Sequence, residues 1–524
     1  MSKSDKNEIF ARLSLIIMGL TLVCAIDFGL RFLGFWDKFK FVISEPSSND
    51  KGKLSLNSQY VALHYFDHLP VRMDKLFKAS PWFEDTEFFK EKRKDVYRIF
   101  FIGASTTRGF PFLGRRISYP SIFDHILKDV LPDREIEVIN AGYDALGSFG
   151  VLDVFNQIIE HDPDLVIAYT GHNEFIGHYG VSSNVTIGFN RWLIRRRLDL
   201  NRSSLFLISK LVILKARSLF NLKNYSEVNL FKALLRKNRI IWTEKEHEIA
   251  EDHYRKNLIE MVETATLQDV KIILTELPSN LGNFYPLASV FSEKTSPREG
   301  KEIIGWLEKG KGALISEDIQ SAKAWFNKAL AVDPLYAETH YLLGKVYELQ
   351  GKYKFARKFY GFAREYDKIH LRSCSKLNSI VADVGRRLNI PVLDMEGVLE
   401  RASVNGFTGE NYFFEHVHPN INGHLIMADA YARFLYEHKI LNGDWEWVRL
   451  RTAVEYVRAV GFDEKQYNNA RYTVGRLLMD FPFYQCNSGL SYLKKVGKLN
   501  VEQILIKNCK KNKSERKPFF LKVD

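Results

Sequence analysis

The chain has 524 residues, of which 46% are hydrophobic and 26% are charged, and its formal net charge is +12. The length excludes one ordinary domain and predicts two or three units, and the composition is that of a globular protein. The four cysteines, at positions 24, 374, 486 and 509, are spaced too widely for a metal-binding motif. The sequence does not assign a disulfide among the last three.

The first predicted element is a transmembrane anchor at residues 9–35. An uncharged run from Leu13 to Ile26 continues into a second apolar stretch, and together they approach the roughly 20 residues that span a bilayer. Asp27 and Arg31 interrupt the anchor four residues apart, so on a helix they share a face and can pair near the membrane interface. No small-residue cleavage site follows, which argues against a removed signal peptide. A buried core helix is the alternative.

Residues 36–94 are interpreted as a connecting segment, and beyond them short apolar runs alternate with helical patterns. The runs that predict buried strands are 95–105, 136–140, 164–170, 270–275 and 390–394. Helical patterns at 120–130 and 151–161 lie between the first three. This alternation predicts an α/β fold with a parallel sheet covered by helices on both faces. Ligands bind such sheets at the carboxyl ends of the strands.

A basic insertion at about 180–250 interrupts the sheet region. Its 191–240 stretch holds thirteen Lys and Arg against two acidic residues, and an apolar run extends from Leu205 to Leu214. The pattern predicts one or two amphipathic basic helices. They either form a solvated cover over the sheet edge or rest on anionic lipid headgroups beside the anchor. No nucleic-acid partner is expected for a tethered chain of this kind.

A second insertion, at 297–368, is an internal repeat with a period of 34 residues. The repeated positions are Gly310, Ala322, Phe326 and Ala329, which recur as Gly344, Ala356, Tyr360 and Ala363. Small residues where two helices cross, with large ones filling the gap, are typical of tetratricopeptide repeats. Two repeats are fewer than the usual three, so the pair is expected to pack against the rest of the protein. The region 303–368 is either a spacer or a docking groove for a protein partner.

The last part of the chain, 445–524, is predicted to be a helical extension. Helical patterns cover Trp445 to Val460 and Lys465 to Met479, and the basic end at 507–517 is expected to fray.

Four short segments carry the residue types of an esterase active site: 103–106, 140–142, 171–174 and 415–419. A serine hydroxyl is a weak nucleophile until a base takes its proton. His418 is the candidate base for Ser105, and Glu415 is the candidate carboxylate that would orient His418 and stabilise its charged form.

The tetrahedral oxyanion of ester cleavage needs donors that are already in place. The candidates are the backbone N–H groups of Ser105 and Gly142 and the side-chain amide of Asn173. Each segment also has a structural interpretation. Ser105 can cap a helix, His172 can be a packed histidine, and the metal pair that His416 and His418 suggest has no evident third ligand. The residues alone therefore do not predict a metal site.

Together the four segments resemble the SGNH (GDSL-type) hydrolase superfamily, whose blocks contribute the serine, glycine, asparagine and histidine. The resemblance extends to a bacterial subgroup with an N-terminal membrane helix and tetratricopeptide repeats inserted in the hydrolase domain. Two positions depart from the pattern: Ala104 replaces the usual acidic residue before the serine, and Glu415 replaces the usual aspartate.

The resemblance implies a three-layer α/β/α sandwich whose core is split into 95–296 and 369–444. It also implies an anchored enzyme whose catalytic domain lies on the extracytoplasmic (periplasmic) side of the cell membrane. We expect a serine esterase that acts on acyl groups of an envelope glycan or lipid, and the resemblance implies that it needs neither a metal nor an organic cofactor. The alternatives are an O-acyltransferase that uses the same site and a non-catalytic assembly scaffold that uses its repeats.

Overall fold

The computed structural model places seventeen helices and eight strands in the described part of the chain. The described residues are 3–35, 40–44, 53–57, 60, 64, 86–181, 190–220, 241–480 and 482–496. The strands are β1 (Val42–Ser44), β2 (Lys53–Leu56), β3 (Glu87–Phe89), β4 (Val96–Gly103), β5 (Glu135–Asn140), β6 (Leu165–Tyr169), β7 (Lys271–Glu276) and β8 (Val392–Asp394).

The helices follow the same chain order. They are α1 (Lys3–Phe32), α2 (Ser105–Arg108), α3 (Tyr119–Val130), α4 (Ser148–Ile158), α5 (Arg191–Asn201), α6 (Ser204–Phe220), α7 (Glu244–Leu267), α8 (Pro297–Ile315), α9 (Ile319–Val332), α10 (Ala337–Leu349), α11 (Tyr353–Tyr366), α12 (Ser375–Leu388), α13 (Met395–Ala402), α14 (Ile421–Glu437), α15 (Ala453–Ala459), α16 (Glu464–Met479) and α17 (Cys486–Lys494).

The chain forms two compact units. The smaller unit contains residues 1–80, 87–90 and 187–228, and the larger contains 81–86, 91–186 and 229–524. In the smaller unit, β1, β2 and β3 form an antiparallel sheet within the segment that the sequence analysis interpreted only as a connection. That interpretation did not include the sheet, because strands of three or four residues are too short to show a period-two pattern.

The smaller unit also contains α1, α5 and α6. The window from Ser14 to Phe32 has a mean hydropathy of 2.0 and none of it is buried, so by length and composition α1 is able to cross a membrane. The predicted basic helices are present as α5 and α6, and the latter contains the apolar run that the sequence analysis identified. The basic stretch 221–240 lies outside the described residues.

A five-stranded parallel sheet forms the centre of the larger unit, with the order β5-β4-β6-β7-β8. All five predicted strands are confirmed within a few residues. Their β-branched and aromatic runs are buried, and β6 is buried at every position. Helices α4, α7 and α12 pack together on one face, and α3 and α14 pack together on the other. The predicted α/β/α sandwich is therefore confirmed.

The repeat insertion consists of α8 to α11, in which each helix contacts the next. A Cβ atom added to Gly310 would come within 2.3 Å of the Phe326 ring, and one added to Gly344 would come within 2.5 Å of the Tyr360 ring. The 34-residue period in the sequence is thus also a period in packing. The second helix pair buries Tyr360 against Phe407 of the sheet region, as expected for so short a repeat array.

The two ends of this insertion meet at one buried carboxylate. Asp367, just after α11, accepts hydrogen bonds of 2.8 and 2.9 Å from the backbone N–H groups of Leu287 and Ala288. The backbone N–H of Lys368 donates to the carbonyl of Ala288 at 3.0 Å. The chain therefore leaves the sheet region and returns to it at the same place.

The predicted C-terminal extension is helical within its described part, where α15, α16 and α17 follow a short 3-10 turn at Trp447–Arg449. Residues 497–524 lie outside the described part, and the predicted frayed end lies among them. Cys486 is disulfide-bonded, whereas Cys24 and Cys374 are free thiols.

This thiol distribution predicts the outcome of alkylation. When the denatured, unreduced protein is treated with iodoacetamide, we expect two of the four cysteines to be modified, and all four after reduction. Intact-mass spectrometry measures the difference. Four modifications without reduction would contradict the disulfide.

Candidate active site

Ser105 lies on a sharp strand-to-helix turn at the carboxyl end of β4. The turn is tight because a Cβ atom at Gly103 would lie 2.2 Å from Thr107 Oγ1 and 2.4 Å from the carbonyl oxygen of Tyr169. The single-turn helix α2 then begins at Ser105 and ends at Arg108, and the C-cap residue Gly109 has a φ of +107°, which suits glycine. The half-buried Ser105 side chain is thereby held at the edge of the sheet where ligands bind.

His418 and Glu415 lie against this serine. The Ser105 Oγ and His418 Nε2 atoms are 2.8 Å apart, although the two residues are 313 positions apart in the chain. The other ring nitrogen of His418 contacts Glu415 Oε1. Ser105, His418 and Glu415, the residues predicted to form a catalytic triad, are therefore linked by hydrogen bonds in that order.

The Glu415 carboxylate is buried, and backbone groups hold it. Its Oε2 accepts the backbone N–H of His416 at 2.7 Å, and its Oε1 accepts that of His418 at 3.1 Å. Donors of this kind compensate the cost of removing a charge from water. The partner of His418 Nδ1 is therefore Glu415, the carboxylate that the sequence predicts for this position.

Glu415, His416 and His418 also form a cluster whose ligand atoms lie within 4.8 Å of one another, the spacing of a metal site. The third ligand that the sequence analysis did not find is thus Glu415 itself. However, both ring nitrogens of His418 are engaged, one by Glu415 and the other by Ser105. A metal ion bound to His418 would displace one of these partners, so metal binding and the serine–histidine–glutamate arrangement exclude each other.

Loops from the two strands beside β4 bring the predicted oxyanion donors to the same edge. The backbone N–H of Tyr143 donates to the Gly103 carbonyl at 3.1 Å, so the loop containing Gly142 continues the pairing of β4 with β5. On the other side, Tyr169 at the end of β6 pairs with Gly103, and Asn173 follows in the next loop. The topology therefore explains why segments far apart in the sequence converge.

The packing of Gly142 agrees with the prediction, but its backbone N–H already makes a hydrogen bond. A Cβ atom there would lie 2.5 Å from the backbone nitrogen of Arg108 and 2.8 Å from the carbonyl carbon of Thr107, so the loop touches the turn that carries Ser105. The Gly142 N–H, however, donates to Asn140 Oδ1 at 3.0 Å. To serve an oxyanion, this N–H must be shared with Asn140 or released from it.

The side-chain amide of Asn173 has a second N–H in addition to the one that it donates within the protein. Its Nδ2 donates to the Leu146 carbonyl at 3.2 Å, and a primary amide carries a second N–H. The neighbouring Glu174 fixes the loop by accepting hydrogen bonds from the backbone N–H and the hydroxyl of Ser148, at 2.8 and 2.7 Å. Burial raises the pKa of Glu174 to about 7.

An ion pair that the sequence analysis missed borders the site. Arg108, one turn after Ser105, donates through Nε to Asp144 Oδ1 at 2.6 Å, and its side chain is buried. The ring of Phe110 packs on the His418 ring with a centroid distance of 4.5 Å. The three-residue spacing from the serine is a signal that could have indicated Arg108, because such residues share a helix face.

Burial lowers the pKa of His418 to about 3; the Asp144 carboxylate opposes this effect and the Arg108 guanidinium adds to it. The imidazole is therefore neutral at neutral pH, with Nε2 able to accept the proton of Ser105. This is the protonation state that a general base requires.

Several other histidines of the larger unit are buried in the same neutral form. Burial lowers the pKa of eight in all: His125, His172, His247, His340, His370, His416, His418 and His424. Two of them accept backbone hydrogen bonds through Nδ1, His172 from Ser373 at 3.0 Å and His424 from Tyr119 at 3.2 Å. Protonation of Nδ1 in either histidine would remove the acceptor and break its hydrogen bond. His172 is therefore a packed histidine.

These histidines predict acid instability. A histidine whose pKa is lower in the folded state stabilises the fold above its unfolded pKa of about 6.5, and that stability is lost as the pH falls below it. Each site changes the free energy of unfolding by at most about 1.4 kcal/mol per pH unit in this range. Glu174, Glu276 and Asp367, whose pKa values burial raises to about 7, about 7 and about 6, oppose the trend. Burial also raises the pKa values of Asp124, Glu251 and Glu400, but these six carboxyl groups are fewer than the eight histidines.

We therefore expect the melting temperature of the detergent-solubilised full chain to fall steadily below pH 6.5. In His424→Gln the glutamine oxygen can still accept the Tyr119 N–H, but the group that takes up a proton is removed. The pH dependence of the free energy of unfolding should therefore decrease by up to about 1.4 kcal/mol per pH unit, and the melting temperature should fall less steeply. Tryptophan fluorescence during heating, at a series of pH values, measures both. A melting temperature that is constant between pH 7 and pH 4 would contradict the expected protonation states.

Comparison with known proteins gives structural likenesses alone. No protein-family model matches the chain, and no curated protein matches it. An acetylxylan esterase from Geobacillus stearothermophilus is 15% identical, with 68% of this chain and 97% of that chain covered and a TM-score of 0.31. A GDSL-like lipase from Bacteroides thetaiotaomicron is 12% identical, with coverages of 67% and 93% and a TM-score of 0.30.

A lipase/acylhydrolase from Enterococcus faecalis is 13% identical, with coverages of 65% and 96% and a TM-score of 0.29. At such values the likenesses carry no argument about the chemistry of this chain. That argument depends on the geometry around Ser105.

Proposed function

We propose that the chain is a membrane-anchored serine esterase of the SGNH type that cleaves acyl esters of a glycan or lipid. The observation that carries the proposal is the 2.8 Å contact between Ser105 Oγ and His418 Nε2, with Glu415 on the opposite ring nitrogen. Placed at the carboxyl edge of a parallel sheet, this arrangement matches the roles of nucleophile, base and orienting carboxylate.

The proposed reaction has two halves. Ser105 Oγ attacks the ester carbonyl while its proton passes to His418 Nε2, and Glu415 stabilises the resulting imidazolium. The oxyanion receives hydrogen bonds from the backbone N–H of Ser105, the second amide N–H of Asn173 and the N–H of Gly142 once Asn140 shares it. Collapse of this intermediate breaks the bond to the alcohol, which takes the proton from His418.

The second half removes the acyl group from Ser105. Water attacks the acyl-enzyme, His418 takes one of its protons, and the released serine regains a proton as the carboxylic acid leaves. A sugar hydroxyl in place of water would make the same site an acyltransferase. We take water as the acceptor.

The proposed location is the extracytoplasmic side of the cell membrane, with α1 as the anchor. The apolar span from Ser14 to Phe32 supports the anchor. The disulfide at Cys486 supports an oxidising compartment, since structural disulfides are rare in the cytosol. We further propose that α8 to α11 are a tetratricopeptide pair.

Mapping the site of a covalent probe tests the enzyme proposal. A fluorophosphonate reacts with a serine that has an activated hydroxyl, and the modified peptide is identified by mass spectrometry. We expect modification at Ser105 in the folded full-length protein and none after denaturation. Modification at another serine, or none in folded protein, would reject the proposed nucleophile.

Gly142→Ala tests the close packing of the loop against the serine turn. The added Cβ would lie 2.5 Å from the backbone of Arg108, so the turn carrying Ser105 must move. A displacement near 1 Å can cost about 10²-fold in rate, and we expect a loss of that order in kcat/KM.

The matched control is Gly312→Ala in α8, where an added Cβ would have no neighbour within 4 Å and activity should be unchanged. Aryl-ester hydrolysis measures both variants. Wild-type activity in Gly142→Ala would show that this loop does not constrain the serine.

A further inference from the structure

The anchor helix α1 carries a charged pair that has partners on another element of the smaller unit. Asp27 lies near the end of the apolar span Ser14–Phe32, and its side chain is only 17% exposed. Its Oδ2 accepts Arg31 Nε at 2.9 Å, and its Oδ1 accepts the hydroxyl of Ser203 and the backbone N–H of Leu205, both at 2.9 Å. An acidic group in an apolar span needs such partners.

These bonds attach the start of α6 to the anchor. Leu205 belongs to the first turn of α6, where backbone N–H groups lack helical partners and a carboxylate is favourable. Arg31 adds a hydrogen bond from Nη2 to the carbonyl of Arg202. Because Asp27 is near the end of the span, an anchor that crosses a membrane would hold the start of α6 near the level where the membrane meets water.

The outer surfaces of α5 and α6 have the composition of a membrane interface. Four large apolar side chains are at least half exposed: Trp192, Leu200, Val212 and Ile213. Helix α5 contains four arginines and one aspartate in eleven residues. Exposed apolar groups beside a high density of arginine are typical of helices that lie in the headgroup region of anionic membranes.

We propose that α5 and α6 are a second membrane contact, docked on the anchor through Asp27 and resting in the headgroup layer of an anionic bilayer. The inference depends on the anchor of the proposed function. Because α6 is hydrogen-bonded to the anchor and α5 is positively charged, we identify the partner as anionic lipid. In water the exposed Trp192, Val212 and Ile213 side chains would form an unfavourable apolar surface.

Depth measurement in proteoliposomes tests this contact. The full chain, with Cys24→Ser and Cys374→Ser, receives one new cysteine labelled with the environment-sensitive dye NBD. Val212→Cys reports α6, Leu20→Cys reports the anchor, and Val404→Cys, which is 98% exposed in the larger unit, reports water. Brominated lipids quench a dye that enters the bilayer. The vesicles contain phosphatidylcholine with or without phosphatidylglycerol.

We expect quenching and a blue-shifted emission at positions 20 and 212 but not at 404, with more quenching at 212 when phosphatidylglycerol is present. Asp27→Asn should reduce quenching at 212 and leave position 20 unchanged. The control Asp429→Asn removes an i,i+4 pair with Arg433 in the larger unit and should change neither.

Each result decides a separate point. Quenching at 20 without quenching at 212 overturns the second contact and leaves the anchor intact. No quenching at 20 overturns the anchor of the proposed function. Equal quenching at 212 with and without phosphatidylglycerol overturns the assignment of anionic lipid as the partner.

Discussion

Ser105→Ala is expected to lower kcat/KM for an aryl acetate by at least about 10⁴-fold, because no other group at the site can form the acyl-enzyme. The hydroxyl is half-buried and its structural role is limited to the hydrogen bond with His418. We therefore expect the melting temperature to change little. Initial rates of aryl ester hydrolysis and a thermal unfolding curve measure the two quantities.

The matched control is Ser379→Ala, an exposed serine whose hydroxyl bonds to its own helix at Lys376. It should keep full activity and labelling. If Ser105→Ala retained wild-type kcat/KM, hydrolysis through a Ser105 ester would be excluded, and the repeat region would become the first place to look for a function.

Glu415→Gln is expected to lower kcat by a similar factor, on the order of 10⁴-fold, with little change in KM. The three groups that bond to the Glu415 carboxylate are the backbone N–H of His416, the backbone N–H of His418 and His418 Nδ1. Glutamine offers one acceptor oxygen and one donor nitrogen, so it cannot satisfy all three. When the amide donates to His418 Nδ1, the proton is on Nε2, and Nε2 cannot accept the serine proton.

Glu410→Gln is the control for charge and length, since Glu410 is exposed on the same stretch of chain and should be replaceable without effect. Loss of a buried acceptor also predicts destabilisation of about 1–3 kcal/mol for Glu415→Gln, which denaturant unfolding measures. Full activity in Glu415→Gln would assign the orientation of His418 to another group.

Much of the fold could be predicted from the sequence because its signals are local. The apolar runs of β4 and β6 and the 34-residue repeat are patterns within contiguous stretches of sequence. They can therefore be recognised without knowledge of any tertiary contact. Ser105, Asn173 and His418 could be predicted because each lies beside a strand end or in a short motif. Topology alone then brings these segments together.

Other features depend on contacts between distant residues, and the sequence does not show them. The bond from the Gly142 N–H to Asn140 and the pairing of Arg108 with Asp144 depend on how two loops approach each other. The short strands β1 to β3 form only by pairing with one another, so no single strand carries a pattern. The grouping of 187–228 with the anchor likewise depends on bonds made across the chain.

The junction at Asp367 determines how this protein can change in length over evolution. Since the chain leaves the sheet region and returns to it at adjacent backbone groups, added helices at the α8–α9 end can lengthen the array without moving the turn that carries Ser105 or the loop that carries His418. The Tyr360–Phe407 contact keeps the α10–α11 pair in place, so the α8–α9 pair can diverge in sequence. Selection can thus alter the surface of the repeat insertion and the surroundings of Ser105 independently within one polypeptide.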